Sequence, residues 1–250
     1  MKRIITIFIF LVIQIPSLVA QQNFFNVPSS EITQKGKLLY QGQVNITSEE
    51  TEINNTFSYG LGKDLEVGIN IFEFTFDPKH HFHFEHNDTL PKSPVYPLVL
   101  LNIQKAFELL PDFQLSIGTQ NGLNPARHMH WVNYTYLNLA YEIPGLETRL
   151  VAGAYTFNKA FVGDWRGNEE TSADNKWGIG FQAGIQQPII KEKLLFTADF
   201  LSHRHKLGES AWGLAYYITK SWVLSMGYQL PNPGSLSNKG LIFEITRVPE

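Results

Sequence analysis

The sequence predicts an all-β fold, an antiparallel transmembrane β-barrel of about twelve strands. Two patterns in the 250-residue chain predict it, together with the character of one face. Apolar and polar residues alternate with period two through segment after segment, with turn residues between them. Most of these segments run about 10 residues, the length of a tilted membrane strand. The polar face is built from Gln, Asn, Ser, Thr and Gly, with few charges beyond Glu66, Asp199 and Glu244. A face in bulk water normally carries many Lys and Glu, so this one suits a confined, hydrated lumen.

Residues 1–20 read as a signal peptide. Lys2 and Arg3 form a basic start, and Ile4 to Ile15 is apolar except for Thr6 and Gln14. Pro16-Ser17-Leu18-Val19-Ala20 then offers small residues for cleavage near Gln21. The run is too short for a spanning helix, and no later apolar run approaches the roughly 20 residues such a helix needs. Residues 21–35, QQNFFNVPSSEITQK, are expected to be a periplasmic leader or a partial plug of the lumen. Phe24 and Phe25 would otherwise be exposed to water. Residues 36–250 are expected to form the barrel.

Twelve segments fit the strand pattern: 36–46, 53–62, 65–76, 97–108, 113–121, 131–142, 148–158, 176–187, 194–203, 210–219, 221–231 and 239–248. In the first, Leu38, Tyr40, Val44 and Ile46 oppose Leu39, Gln41, Gln43 and Asn45. In the second, Phe57, Tyr59 and Leu61 oppose Thr56, Ser58 and Gly60. The third changes apolar phase near Ile71/Phe72, which implies a bulge with Phe72, Phe74 and Phe76 outward beyond it. In the fifth, Phe113, Leu115 and Ile117 oppose Gln114, Ser116 and Gly118. In the sixth, Leu137, Leu139 and Tyr141 face lipid, which turns Val132, Tyr134 and Tyr136 inward. The eighth places Trp177, Ile179, Phe181, Ala183 and Ile185 against Gly178, Gly180, Gln182, Gly184 and Gln186. The ninth sends Leu194, Phe196, Ala198 and Phe200 to lipid and Asp199 and Leu201 inward. The last three repeat the pattern around Trp212, Trp222 and Leu241.

The connections alternate in length. Gly62-Lys63-Asp64, Pro111-Asp112, Pro144-Gly145, Lys191-Glu192-Lys193 and Lys220 mark tight turns. Stretches 77–96, 122–130, 159–175, 205–209 and 231–238 are longer. Trp131, Trp177, Trp212, Trp222 and Tyr141 fall near segment ends, where an aromatic girdle would sit. With its signal peptide and even strand count, the chain resembles a bacterial outer-membrane β-barrel protein. It departs from many of them by ending ITRVPE rather than on an aromatic residue. The resemblance implies export to the outer membrane, contact with its lipid bilayer and insertion by the outer-membrane machinery. A soluble β-sandwich or lipocalin-like barrel is the competing fold, and the uncharged polar face argues against it.

Composition narrows the function further. There is no cysteine, which excludes thiol chemistry and a disulfide-stapled module. Without Lys2 and Arg3 the 20 basic residues become 18 against 23 acidic ones, a net charge of −5, and nothing suggests nucleic acid as a partner.

Histidine placement is the most unusual feature. All 8 histidines fall in three patches, HHFHFEH from position 80, RHMH from 127 and SHRH from 202. Each patch holds a His-x-His pair, where random placement would give roughly 0.2 pairs in all. The strand order puts the three patches on the long-loop side. On an extended strand, His-x-His projects both imidazoles from one face, a good chelate for Zn²⁺, Cu²⁺ or Ni²⁺. His81, His83, Glu85, His128, His130, His203 and His205 are therefore the candidate metal ligands, His203 and His205 facing the lumen if their strand runs on. The bland alternative is a polar rim of exposed histidines. No cofactor is otherwise implied.

A lipid-modifying hydrolase would need a nucleophile and a base. Ser202 and His203 are adjacent, so an extended strand would point them to opposite faces, and no Gly-x-Ser-x-Gly is present. The leading expectation is therefore a non-enzymatic, narrow channel for small polar or metal-bearing solutes with a His-rich outer rim. The alternatives are a structural or partner-binding barrel without transport, and the hydrolase. The strand order predicts a labelling pattern. Cysteine at Asp64 or Lys191 should react only after the outer membrane is permeabilised, whereas cysteine at His83 or Asn168 should react on intact cells. Surface labelling at position 64 would break the strand count.

Overall fold

The computed structural model describes residues 24–76, 98–124, 130–162, 177–235 and 237–249. Twelve strands follow one another: β1 (Leu38–Thr47), β2 (Thr51–Gly62), β3 (Leu65–Phe76), β4 (Leu98–Leu110), β5 (Phe113–Asn124), β6 (His130–Ile143), β7 (Thr148–Asn158), β8 (Trp177–Ile190), β9 (Leu194–Leu201), β10 (Glu209–Tyr217), β11 (Trp222–Pro231) and β12 (Gly240–Arg247). One helical turn, α1 (Lys159–Val162), follows β7. Every strand pairs antiparallel with its sequence neighbours. β1 closes on β12, with Tyr40 opposite Arg247 and Thr47 opposite Gly240. Closure leaves no sheet edge, so the backbone ladder satisfies itself, as a hydrocarbon environment requires.

The alternating pattern becomes two surfaces. Leu101, Ile117, Leu137, Ile179, Leu214 and Met226 are among the many large apolar residues on the outside. An apolar area of that extent is far beyond what a water-facing monomer exposes, and it is what acyl chains demand. Trp131 and Trp177 meet at 5.6 Å at the long-loop end, while Phe113 stacks on Tyr141 at 4.3 Å near the opposite end. Among the described residues no helix is long and apolar enough to cross a membrane; the strands do so. Turns at the short end are tight. Lys63 and Asp64 both have positive φ, 53° and 55°, the backbone of a two-residue hairpin.

The lumen is packed by rings lying over glycines. Tyr155 pairs with Gly180, Phe157 with Gly178 and Tyr136 with Gly118 across neighbouring strands. A Cβ at Gly180 would lie 2.2 Å from the Tyr155 ring, and one at Gly178 2.3 Å from Phe157. These glycines are seats for the aromatic side chains beside them.

Strand bounds shift from the sequence-based expectation by one to three residues at most ends, and three differences bear on the lumen. β9 stops at Leu201 rather than 203, because His203 adopts φ 82° and leaves the extended region. β8 continues to Ile190 through a register shift beside Pro188. The bulge in β3 falls between Ile71 and Phe74, where three steps on β3 match two on β2. Phe72 therefore keeps the inward phase and packs on the interior cluster, contrary to its expected outward position. The signal segment 1–20, the patch holding His81, His83 and Glu85, and His128 lie outside the described residues.

The ring seats make a stability prediction. Gly180→Val forces Tyr155 from its site and should destabilise the barrel by ~1–3 kcal/mol. Gly145→Ala, at a turn glycine with φ 80° and no neighbour within 4 Å, should cost less, about 1 kcal/mol. Urea unfolding from lipid vesicles would rank the two, and the reverse order would refute the seat argument.

Candidate functional site

The site is the lumen, and its first component is the N-terminal segment. Residues 24–33 run inside the barrel, from the long-loop half to the short-turn end, and Gln34 and Lys35 emerge exposed. At the upper end, Asp199 of β9 accepts three successive backbone N–H groups on one oxygen. Phe25, Asn26 and Val27 donate to Oδ2 at 2.9, 2.6 and 2.9 Å. Phe24 and Phe25 are buried on glycine seats of their own, Gly184 and Gly227. Below them, Asn138 Nδ2 donates to the Pro28 carbonyl at 3.1 Å, and Arg149 Nε to the Ser29 carbonyl at 3.0 Å. Ser116 Oγ donates to Ser30 Oγ at 2.7 Å, and Gln104 Nε2 to the Glu31 carbonyl at 3.1 Å. The Thr33 N–H donates to Glu66 Oε2 at 2.7 Å, close to the short turn that precedes β3. Arg149 also pairs with Glu31 at 3.5 Å. The segment leaves past Gly60, where a Cβ would meet the Thr33 carbonyl at 2.1 Å.

Sequence reasoning marked Asp199 and Glu66 only as rare charges on a polar face. That rarity was the available signal: a charge on an otherwise neutral inward face requires a partner. The partner is backbone from a segment far away in sequence, which periodicity cannot show.

The second component is a chamber of about 110 Å³ at the long-loop end. Gln41, Gln43, Asn45, Glu52 and Thr56 form one wall; Phe25, Tyr134, Phe161 and Leu201 form another. A smaller void of about 10 Å³ lies lower, between Glu66, Asn70, Asn102, Gln104 and Tyr136, and it shares Thr56 and Gln120 with the chamber. The wall from β1 to β5 is therefore amide-rich over much of its height. The wall from β6 to β9 carries the aromatic cluster of Tyr134, Tyr136, Tyr155 and Phe157, on which Phe161 of α1 stacks at 5.1 Å from Tyr134.

The third component is the connection between β9 and β10, which folds over the chamber. Lys206 reaches across the mouth and pairs with Glu52 at 2.6 Å and Glu50 at 3.5 Å. Burial lifts the Glu50 carboxyl to about 7, with Lys206 opposing the rise and Glu52 adding to it. Asn232 Nδ2 donates to the Leu201 and His203 carbonyls at 2.7 and 2.9 Å, and Ser235 Oγ to the His205 carbonyl at 2.6 Å. The 232–238 connection thus holds this fold in place.

The histidines follow from the same turn. His203 is exposed and its Nε2 meets the Ile179 carbonyl. His205 is fully buried. Its Nδ1 accepts the Leu207 N–H at 3.1 Å, and its Nε2 lies 3.0 Å from the Tyr155 hydroxyl. Tyr155 gives its own proton to the Ser202 carbonyl, so Nε2 carries the hydrogen and donates. In this arrangement His205 has no lone pair left to offer a metal. Burial and neighbouring His203 push its pKa down to about 3, which keeps it neutral. The two rings stack at 5.8 Å instead of leaving one strand face side by side. Among the described residues no three His, Asp or Glu side chains converge as a metal site. His130 opens β6, and its side chain lies outside the described residues. Ser202 Oγ accepts the Phe181 N–H at 2.7 Å, so Ser202 and His203 both address the backbone of β8.

No protein-family model matches the chain. Solved structures do. The chain is similar to the NanC porin at 11% identity, with a TM-score of 0.56 over 86% of this chain and 100% of the porin. The fold is that of an outer-membrane β-barrel. A further likeness, to an outer-membrane channel from Pseudomonas putida F1, has a TM-score of 0.50 at 10% identity, over 88% and 97% of the two chains. At these identities the likeness is one of fold, and the contents of the lumen are argued from this chain's residues.

Asp199 should govern the upper end of the lumen segment. Asp199→Asn keeps the shape but removes the charge that the three N–H groups share. Hydrogen bonds to charged groups contribute ~1.5–3 kcal/mol, so protection of the 25–27 amides should fall roughly tenfold to a hundredfold. Hydrogen-exchange mass spectrometry of folded barrels would read this, and unchanged protection would show that the phenylalanines alone hold the segment.

Proposed function

We propose that the chain is an outer-membrane channel for small polar solutes, exported with a cleaved signal peptide and narrowed by its own N-terminal segment. The observation that carries this reading is the continuity of the amide-rich wall. The chamber at the mouth and the void beneath it share Thr56 and Gln120, and the polar track continues beside the inserted segment toward Glu66. A lumen meant only as a packed core would be apolar on all walls, as buried amides without partners are costly. Here apolar rings fill one side and polar groups line the other. Metal-bearing solutes belong to the same proposal through the rim. That part rests on His203 and on positions 81, 83, 85, 128 and 130, since His205 is engaged in hydrogen bonds.

A second reading is a filled barrel without transport, supporting the envelope or binding a partner. The insertion of residues 24–33 into the lumen favours it. Planar-bilayer recording separates the two. The intact chain should show a small, steady conductance, and a chain lacking residues 24–35 but retaining its signal peptide should show one several-fold larger. Should the shortened chain fail to fold, Asp199→Asn serves as the loosened form. Silence from the intact chain with conductance after loosening would support the filled barrel, and silence from both would sink the channel reading.

A further inference from the structure

Three buried amide oxygens at the chamber lack a hydrogen-bond donor among the described residues. Gln41 and Gln229 both line it, at 3% and 4% exposure. Their amides are oriented by their neighbours. Gln41 Nε2 donates to Glu244 Oε2 at 2.7 Å, and Gln229 Nε2 donates to the Asn238 carbonyl at 2.8 Å. The Asn238 carbonyl only accepts, so the Gln229 NH₂ must point there, and Gln41 sets its NH₂ against Glu244 in the same way; both carbonyl oxygens point away from these partners. Gln41 Oε1 and Gln229 Oε1 are then buried with no partner among the described residues, and Gln120 Oε1 on the same chamber is a third such acceptor.

Three donors nearby are committed. Lys206 is held by Glu52 and Glu50, and Asn26 Nδ2 donates to Glu209 Oε1 at 3.0 Å. Ser237 Oγ donates to the other oxygen of Glu209. The titratable lining leans the same way. Among the described residues three carboxyl groups, Glu50, Glu52 and Glu209, line the chamber with Lys206; Lys206 pairs with Glu52, and Glu50, lifted to about 7, is partly ionised. An anion entering here would meet carboxylates and bare carbonyl oxygens. A solute rich in N–H donors would satisfy those oxygens and offset the charge.

We propose that this chamber binds a small organic cation through its N–H donors, an alkylammonium rather than an anion or a quaternary amine. The proposal names the solute class of the channel and rests on that reading for passage, whereas binding itself requires no transport. At about 110 Å³ the chamber has room for a few waters, which suits a short aliphatic amine and excludes an oligosaccharide.

The test uses the full mature chain, folded in detergent, and calorimetric titration with 1,4-diaminobutane, tetramethylammonium and succinate. The diamine should bind at least about tenfold more tightly than either of the others. Tetramethylammonium carries the charge without donors, and succinate carries the opposite charge. The double variant Gln41→Leu with Gln229→Leu leaves every charge in place, and it should weaken diamine binding about tenfold or more while leaving tetramethylammonium unchanged. Folding of each variant is checked by its heat-dependent gel mobility. Gln120→Leu, on the less buried part of the wall, replaces the double variant if that one does not fold, with a smaller loss expected. Absence of diamine binding by the folded wild type would overturn the proposal. So would equal binding of tetramethylammonium or succinate, or an unchanged affinity in the variants. A barrel that binds the diamine but never conducts upholds the chamber and removes the channel; one that conducts without binding does the reverse.

Discussion

The Asp199 carboxylate accepts three consecutive backbone N–H groups on one oxygen, inside a barrel where little water is available to take their place. Burying a carboxylate is expensive, and only charge-assisted hydrogen bonds of this kind make it tolerable. The interaction fixes the height at which Phe24 and Phe25 enter the lumen. Those rings then require Gly184 and Gly227 beneath them, because any Cβ would collide with the ring. From there the register of the whole segment is set, down to the Thr33 N–H on Glu66. Asp199 and Glu66, one high and one low, act as the two ends of a clamp on an otherwise irregular strip of backbone.

That strip divides the lumen unequally. Its upper end packs on β8, β9 and β11, and its lower end crosses to β3, β4 and β5, so the amide-bearing strands stay partly free only toward the long-loop end. The division has a physical basis in residue shape. Glycines on β5 and β8 let rings lie flat against the wall, which fills space on the β6–β9 side. Gln and Asn on β1 to β5 stand upright and hydrogen-bond along the wall, as Gln43 does to Asn45 and Asn102 to Asn70. The chamber is the space left over between them. Its cover comes from a turn near His203, whose positive φ ends β9 early and swings Lys206 across to Glu52.

Much of the barrel was legible in the chain. The faces of β1, β8 and β9 follow from period-two alternation alone, because a pleated strand between lipid and lumen allows no other sorting. The inward position of Val132 with Tyr134 and Tyr136 followed from the lipid-facing residues between them. The error at Phe72 has a local cause. A bulge between Ile71 and Phe74 resets the phase, and its position within those few residues depends on pairing with β2 and β4. The histidine expectation was limited by the same kind of event. Spacing put His203 and His205 on one face only while the backbone stayed extended, and a single residue at φ 82° separated them into an exposed ring and a buried one.

The sequence by itself determined the class of fold, the strand count, the two faces of the wall and the alternation of short and long connections. These depend on periodicity and on local turn chemistry, which are properties of neighbouring residues. Only the tertiary structure decided what the lumen contains. The hold of Asp199 on Phe25 to Val27, the reach of Lys206 to Glu50 and Glu52, and the unpartnered oxygens of Gln41 and Gln229 all join residues distant in the chain. Closing a barrel brings such residues together at a radius set by strand number and tilt, and no local pattern encodes which of them will meet.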